Sequence, residues 1–572
     1  MDEECSANSL ERHKFGWEDY LVFAAVLAVS MGIGVFYGCF KGKQKTASEF
    51  LMGNRQMNFW TLGASLTVGF TSAIALLGNT AEMYNFGTQY SLTLISFLIM
   101  VPVTSFLYLP TFRGLGITSI YEYFDRRFCN KTRLLMSSLF VVQSLLYLSV
   151  VVYAPALALR QVTGFNVIAA AALIFTVCVI YSSLGGIKAV VWSDTFQFTI
   201  IVAALLMVVI RGAMLDGGPA EIWQDAYESG RIEFLNVNPD PRIRHSFWTV
   251  IVGSTFYWLA MNCATQSSVQ RLMTAPSNKH ATWALCLSSL GMIVIYSITF
   301  YVGLVMYNHF QHCDPLLSKQ VEATDQLLPL YVMEVAGSLP GLPGLFVAGV
   351  FSAALSTVAS GLNALAASTL RDILAGGFNY KPTDAKGALI SKGLSALYGL
   401  LGFALIFLVM QLGGVLQVAI SLNGMLAGAA LGTFTLGMYI PWCNRTGAIV
   451  GTIVGLATSL WLCIGAQVAA LSGRLVQERK IVGTDCNCTV ILPEIPNPDE
   501  VFDGYRISYL YYSPIAFLVT IVIGVIVSGI TGFQKPESLD PELLSSLIRG
   551  RVKRHIKEIQ LETCTEIDDQ KY

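Results

Sequence analysis

The chain has 572 residues, 54% of them hydrophobic and 13% charged, with mean hydropathy +0.58 and a net charge of −1. Soluble domains carry about a quarter charged residues, so this composition excludes them and defines an all-α polytopic membrane protein, with the lipid bilayer as its first partner. The near-neutral charge offers no field for nucleic acid, and no phosphate loop, His/Cys metal cluster or nucleophile–His pair marks an enzyme.

Residues 1–17 are polar and acidic, without a basic stretch ahead of a short apolar run. They are expected to form an uncleaved extracellular N-terminus. Apolar runs of about 20 residues then predict about thirteen spans. Their limits are 18–40, 58–84, 88–112, 133–159, 163–184, 189–212, 245–271, 280–308, 341–369, 388–410, 413–440, 446–470 and 508–533. Lys41, Lys43, Lys45 and Arg55, then Arg113, Arg126 and Arg127, then Lys188, Arg271 and Lys279, then Arg371 and Lys381 fall in alternate loops. The tail adds Arg549, Arg551, Lys553 and Arg554, whereas loop 213–244 holds Asp216, Glu221, Asp225, Glu228 and Glu233. The excess of Lys and Arg marks the cytoplasmic side, which puts the N-terminus outside and the C-terminus inside.

This orientation makes the sequons Asn130 and Asn444 cytoplasmic and leaves Asn487, in outer loop 471–507, as the glycan acceptor. Cys313, Cys486 and Cys488 also fall outside, so a disulfide from Cys313 to either Cys486 or Cys488 is open.

Two spans are interrupted halfway along by polar residues. Span two carries Thr67-Val68-Gly69-Phe70-Thr71-Ser72, and span seven carries Asn262 to Ser268, with Thr265 and Gln266 between. They lie five spans apart, and an odd offset requires the two units to cross in opposite directions, as an inverted repeat. The expected divisions are a leading span and loop (18–57), a first unit (58–212), an outer loop (213–244) and a second unit (245–440). Two trailing spans (441–533) and a cytoplasmic tail (534–572) follow. A broken helix frees carbonyls for a cation and N–H groups for an anion, though neighbours can also repair a simple kink.

No Asp, Glu, Lys, Arg or His falls near the middle of a predicted span; Glu82, Arg160 and Asp194 lie toward ends. Neutral oxygens then remain as the means of holding a coupling cation. An anionic substrate would be met by helix N-termini, hydroxyls and amides rather than a buried arginine.

Gly344–Ser368 (GLFVAGVFSAALSTVASGLNALAAS) is uncharged yet rich in hydroxyls. Ser356 and Thr357 project about 100° apart on a helix, with the Ala353 carbonyl one turn back. Three such oxygens form part of a Na+ site. Hydroxyls also line helix contacts, which is the competing reading and the one kept for Ser352, Ser360 and Ser368.

Tyr181–Gln197 (YSSLGGIKAVVWSDTFQ) resembles the signature of the sodium:solute symporter family. Tyr108–Phe128, Val150–Gly164 (VVVYAPALALRQVTG), Val269–Arg271 and Asp325–Ala367 agree with it, and the resemblance spans roughly 15 to 535. The YAPAL and LPGLPGLF runs resemble the branch of monocarboxylate, multivitamin and iodide symporters. The resemblance implies a LeuT-like five-plus-five inverted repeat, spans two to six and seven to eleven. It implies Na+ bound by carbonyls of Val68, Thr71 and Ala353 and hydroxyls of Ser356 and Thr357. It implies a substrate cavity, for which Ser72, Tyr147, Tyr153, Trp258, Asn262 and Gln266 are the candidates. Asp194 would assist sodium release or cap its helix. Iodide-type members carry Gln at the position of Ala75 and Ser at that of Ala419; here both are methyl groups, which counts against iodide and against a second sodium. The expected function is Na+-coupled import of a small organic carboxylate, a monocarboxylate or a vitamin such as biotin or pantothenate, across the plasma membrane. A non-transporting sensor or a channel-like member is the rival.

Overall fold

A computed structural model describes residues 15–40, 46–411, 415–480, 482–483, 486 and 501–554. Asn487 and Cys488 lie outside the described residues. Among those described there is no strand, and ten helices are long and apolar enough to cross a membrane. An eleventh crossing is a pair, α2 (Phe59–Phe70) and α3 (Ala73–Phe86), bent by 57° at Thr71–Ser72. The others, with their neighbours in chain order, are α1 (Trp17–Val35), α4 (Thr88–Gly114, with tight turns at its start and wide ones further along), α5 (Asn130–Thr163) and α6 (Val167–Leu215). Then come α7 (Phe247–Cys263), α8 (Gln266–Met273), α9 (Asn278–Phe310), α10 (Leu342–Ser368) and α11 (Asp384–Val409). The chain closes with α12 (Val415–Tyr439), α13 (Arg445–Leu471) and α14 (Tyr512–Thr531).

Polar residues just ahead of apolar runs start these helices. Asn58 accepts from Trp60 N, Asn166 from Ile168 N and Ala169 N, Ser246 from Thr249 N, and Asn444 from Gly447 N. Each satisfies an N–H that the first turn leaves unpaired. Breaks fall where the polar interruptions stand, at Thr71–Ser72 and at Ala264–Thr265. The 49-residue α6 is broken once, at Gly186 (φ 53°, ψ −156°), a backbone region that glycine alone enters without strain.

The core is built on α10. Of its 27 residues only Leu342 and Leu345 are not buried. Its small residues let neighbours approach closely: Gly344 N donates to Asp19 Oδ1 of α1 (3.0 Å), and Tyr181 OH of α6 donates to Leu355 O (2.8 Å). A Cβ at Gly361 would press on Leu148 of α5, and one at Gly349 on Ala204 of α6. In lipid such close contact and interhelical hydrogen bonds replace the hydrophobic drive. Outside the bundle, Cys313 is joined to Cys486, across a separation of 173 residues.

Candidate ion and substrate site

The break after α2 creates the first half of the site. Thr71 (φ −89°, ψ 73°) still donates its N–H to Thr67 O (2.8 Å), but the helix ends there. The carbonyls of Val68, Gly69 and Phe70 therefore lose their regular partners four residues on. From the facing α10, Thr357 Oγ1 donates to Ala353 O (3.1 Å) and lies 3.4 Å from Gly69 O. This one hydroxyl spans the two helices. Ser356 Oγ and Thr71 Oγ1 are buried without a partner, Ser356 on the side of the Asp194 carboxyl. An unpaired buried hydroxyl costs about 1–3 kcal/mol, so Thr71 Oγ1 at the break with its free carbonyls, and Ser356 Oγ beside Asp194, are oxygens whose bonding a ligand can complete. The set of hard, neutral oxygens fits Na+.

Below this set lies a charged pair. Asp194 on α6 is fully buried; Ser65 Oγ donates to its Oδ2 (2.5 Å), and Arg271 Nη2 stands 3.5 Å from the same oxygen. Arg271, on α8, also donates from Nη1 to Ser65 O (2.6 Å) and from Nη2 to Ser360 Oγ. Gly69 makes room for it, since a Cβ there would overlap the guanidinium. Here the structure corrects the sequence reading. Arg271 stands at the end of an apolar run and reads as a cytoplasmic loop residue, whereas the break at Ala264–Thr265 turns α8 inward and buries it. Ser360, read as packing, is its partner.

A cavity of about 60 Å³ opens between these elements. Gly69 and Phe70 of α2, Tyr147 of α5, Trp258 of α7 and Thr357 of α10 line it, together with Arg271. Gln143 and Asn423, joined by a 3.0 Å hydrogen bond from Nε2 to Oδ1, add amides to its wall. Trp258 is held edge-on against Phe70 and Phe97, with ring centroids at 5.8 and 4.9 Å. Of the predicted cavity residues, Tyr147 and Trp258 are in the wall. Ser72 lies behind, against Tyr147. Asn262 turns back to its own helix, donating to Trp258 O (3.0 Å). Gln266 faces away as well, donating to Thr118 O (3.0 Å) and accepting from Ile120 N (2.9 Å). Tyr153 stands about two turns beyond Tyr147, half-buried and outside the wall. Gln143 and Asn423 are not among the residues expected from the sequence, because they carry no charge; an amide in mid-span was the signal available.

A broken helix facing a hydroxyl-bearing one across a buried, amide-lined cavity is the architecture of a polytopic secondary transporter. A profile of the sodium:solute symporter family matches residues 50–455, and the chain belongs to that family. Sodium-coupled monocarboxylate transporter 2 of Mus musculus is 41% identical over 92% of this chain and 86% of its own length. Sodium-coupled monocarboxylate transporter 1 of Homo sapiens is 39% identical over 94% and 92%. The human sodium/iodide cotransporter is 37% identical over 93% and 86%. Among solved structures, a Na+-coupled sialic acid symporter in a substrate-bound outward-open state covers 91% of this chain and 100% of its own, with TM-score 0.74 and 23% identity. That likeness establishes the fold. Family membership makes the protein a secondary transporter rather than an enzyme, with Na+ as the co-transported ion.

Proposed function

We propose that the protein imports a small monocarboxylate together with Na+ across the plasma membrane by alternating access. The observation that carries this reading is Thr357 Oγ1, which belongs at once to the proposed ion ligands and to the cavity wall, between Ala353 O and Gly69 O. Na+ held by Val68, Thr71, Ala353, Ser356 and Thr357 would fix α10 against the broken α2 and so shape the cavity for substrate. The Arg271 guanidinium gives an anion a cationic neighbour in that wall. A cavity of about 60 Å³, room for about two waters at their liquid volume, suits a few-carbon acid such as lactate or pyruvate better than biotin or pantothenate. The monocarboxylate transporters among its relatives support the same class.

In this reading the chain crosses thirteen times. The break at Gly186 divides α6 in two, and α7 with α8 forms one broken span that pairs with α2–α3 in a five-plus-five repeat. The N-terminus is extracellular and the C-terminus cytoplasmic. Iodide is the second candidate, favoured by the 37% identity to the iodide cotransporter but opposed by the methyl groups of Ala75 and Ala419. The test is uptake of labelled lactate, pyruvate, biotin, pantothenate and iodide in cells, with Na+ and with choline in its place. Concentrative Na+-dependent lactate or pyruvate uptake supports the reading; currents without accumulation would show a channel-like or sensing protein instead.

A further inference from the structure

The extracellular end carries a second cavity, of about 190 Å³, bounded by α3, the start of α12 and a segment that follows α13. That segment is a non-helical strap from which Gln477 and Arg479 enter the wall. Its anchors lie immediately beyond. Lys480 N donates to Asn85 O at the end of α3 (2.8 Å), Arg231 Nη2 donates to Lys480 O (3.2 Å), and Lys480 Nζ reaches Gly230 O and Glu233 Oε2. Gly483 N then donates to Gln311 O (3.0 Å) and Asp314 N to Gly483 O (3.2 Å), next to the Cys313–Cys486 disulfide. Residues 477 and 479 line the cavity, whereas Lys480 does not. The strap is thus fastened by Lys480 and presents Arg479 to the cavity.

Glu82 and Arg244 in the wall are matched to each other. Glu82 Oε1 accepts from Arg244 Nε (2.7 Å), His245 Nε2 stands 3.0 Å away, and Arg244 Nη1 is occupied by Gln417 Oε1 (3.0 Å). Asp325 is 3% exposed and engaged within the fold. Arg479 is exposed and has neither hydrogen bond nor ion pair among the described residues.

We propose that this cavity is an outer carboxylate-binding vestibule, in which Arg479 captures the substrate anion before it reaches the cavity beside Thr357. The inference rests on the monocarboxylate reading. A cation without an ion-pair partner in a concave wall raises the local concentration of a small anion and hence its rate of arrival, without contributing to the later translocation steps.

The test uses the full-length protein in cells, with labelled lactate over a range of concentrations and surface levels matched by labelling. Arg479→Gln should raise the KM for lactate about 3- to 10-fold and leave Vmax and Na+ half-activation unchanged. Arg479→Glu should raise it further, and Arg479→Lys should restore it. Higher ionic strength should raise the wild-type KM but not that of Arg479→Gln. Arg474→Gln, on the same strap outside this cavity, should behave as wild type. An Arg479→Gln KM equal to wild type, or a loss confined to Vmax, overturns the vestibule while the transport reading stands. Absence of Na+-dependent lactate uptake by the wild type overturns both.

Discussion

At the scale of single residues, the hydroxyl pair on α10 and the ion pair beneath it do different work. Ser356 supplies a buried hydroxyl without a partner and Thr357 one whose proton goes to Ala353 O and whose lone pairs stay open, so replacing both by alanine removes candidate ligands without leaving a charge exposed. Ser356→Ala with Thr357→Ala should abolish Na+-dependent uptake at unchanged surface level; a double variant with normal sodium activation would rule out the site. Asp194 and Arg271 are each buried and each is the other's counter-charge. Removing one partner of such a pair costs about 3–5 kcal/mol, while removing both is close to neutral. Arg271→Met and Asp194→Asn should therefore each lower the amount of protein at the surface. The combined variant should recover it, and additive losses would contradict the pairing.

At the scale of elements, breaks matter as much as helices. Gly186 holds a conformation that costs any other residue about 1–3 kcal/mol, so Gly186→Ala should lower the melting temperature of the detergent-solubilised protein and reduce its yield. An unchanged melting curve would mean that the chain passes this point without the strain the dihedrals imply. The polar interruptions of spans two and seven were legible because hydroxyls and amides stand out in an apolar run, and each break falls inside its interruption. The direction taken after a break was not legible. Gln266 and Arg271 lie on one eight-residue helix, α8, yet Gln266 ties down the 118–120 loop while Arg271 reaches Ser65 and Ser360. Sequence spacing assigns neither face, because both are buried and the hydropathy contrast that orients a surface helix is missing. The same loss of contrast hid Gln143 and Asn423. It did not hide Ser356 and Thr357, whose helix is so uniformly apolar and small that its hydroxyls stood out.

At the scale of the whole molecule, the balance of charge predicts how transport responds to voltage. One set of neutral oxygens, around Thr357, is formed from the broken α2 and α10. The buried carboxylate nearest to it, Asp194, is matched by Arg271 and is not free to balance a further cation. Ala75 and Ala419, both buried, add no side-chain oxygens for a second ion. One Na+ carried with one monocarboxylate moves no net charge, so the membrane potential adds nothing to the driving force. Every additional Na+ would add about 1.4 kcal/mol at about −60 mV. The expected result is uptake that rises hyperbolically with Na+, with a Hill coefficient near one, and no substrate-evoked current in voltage-clamped cells that accumulate labelled lactate. An inward current with sigmoidal Na+ activation would require a second sodium site, and the oxygens for it would have to come from elsewhere than Ala75 and Ala419.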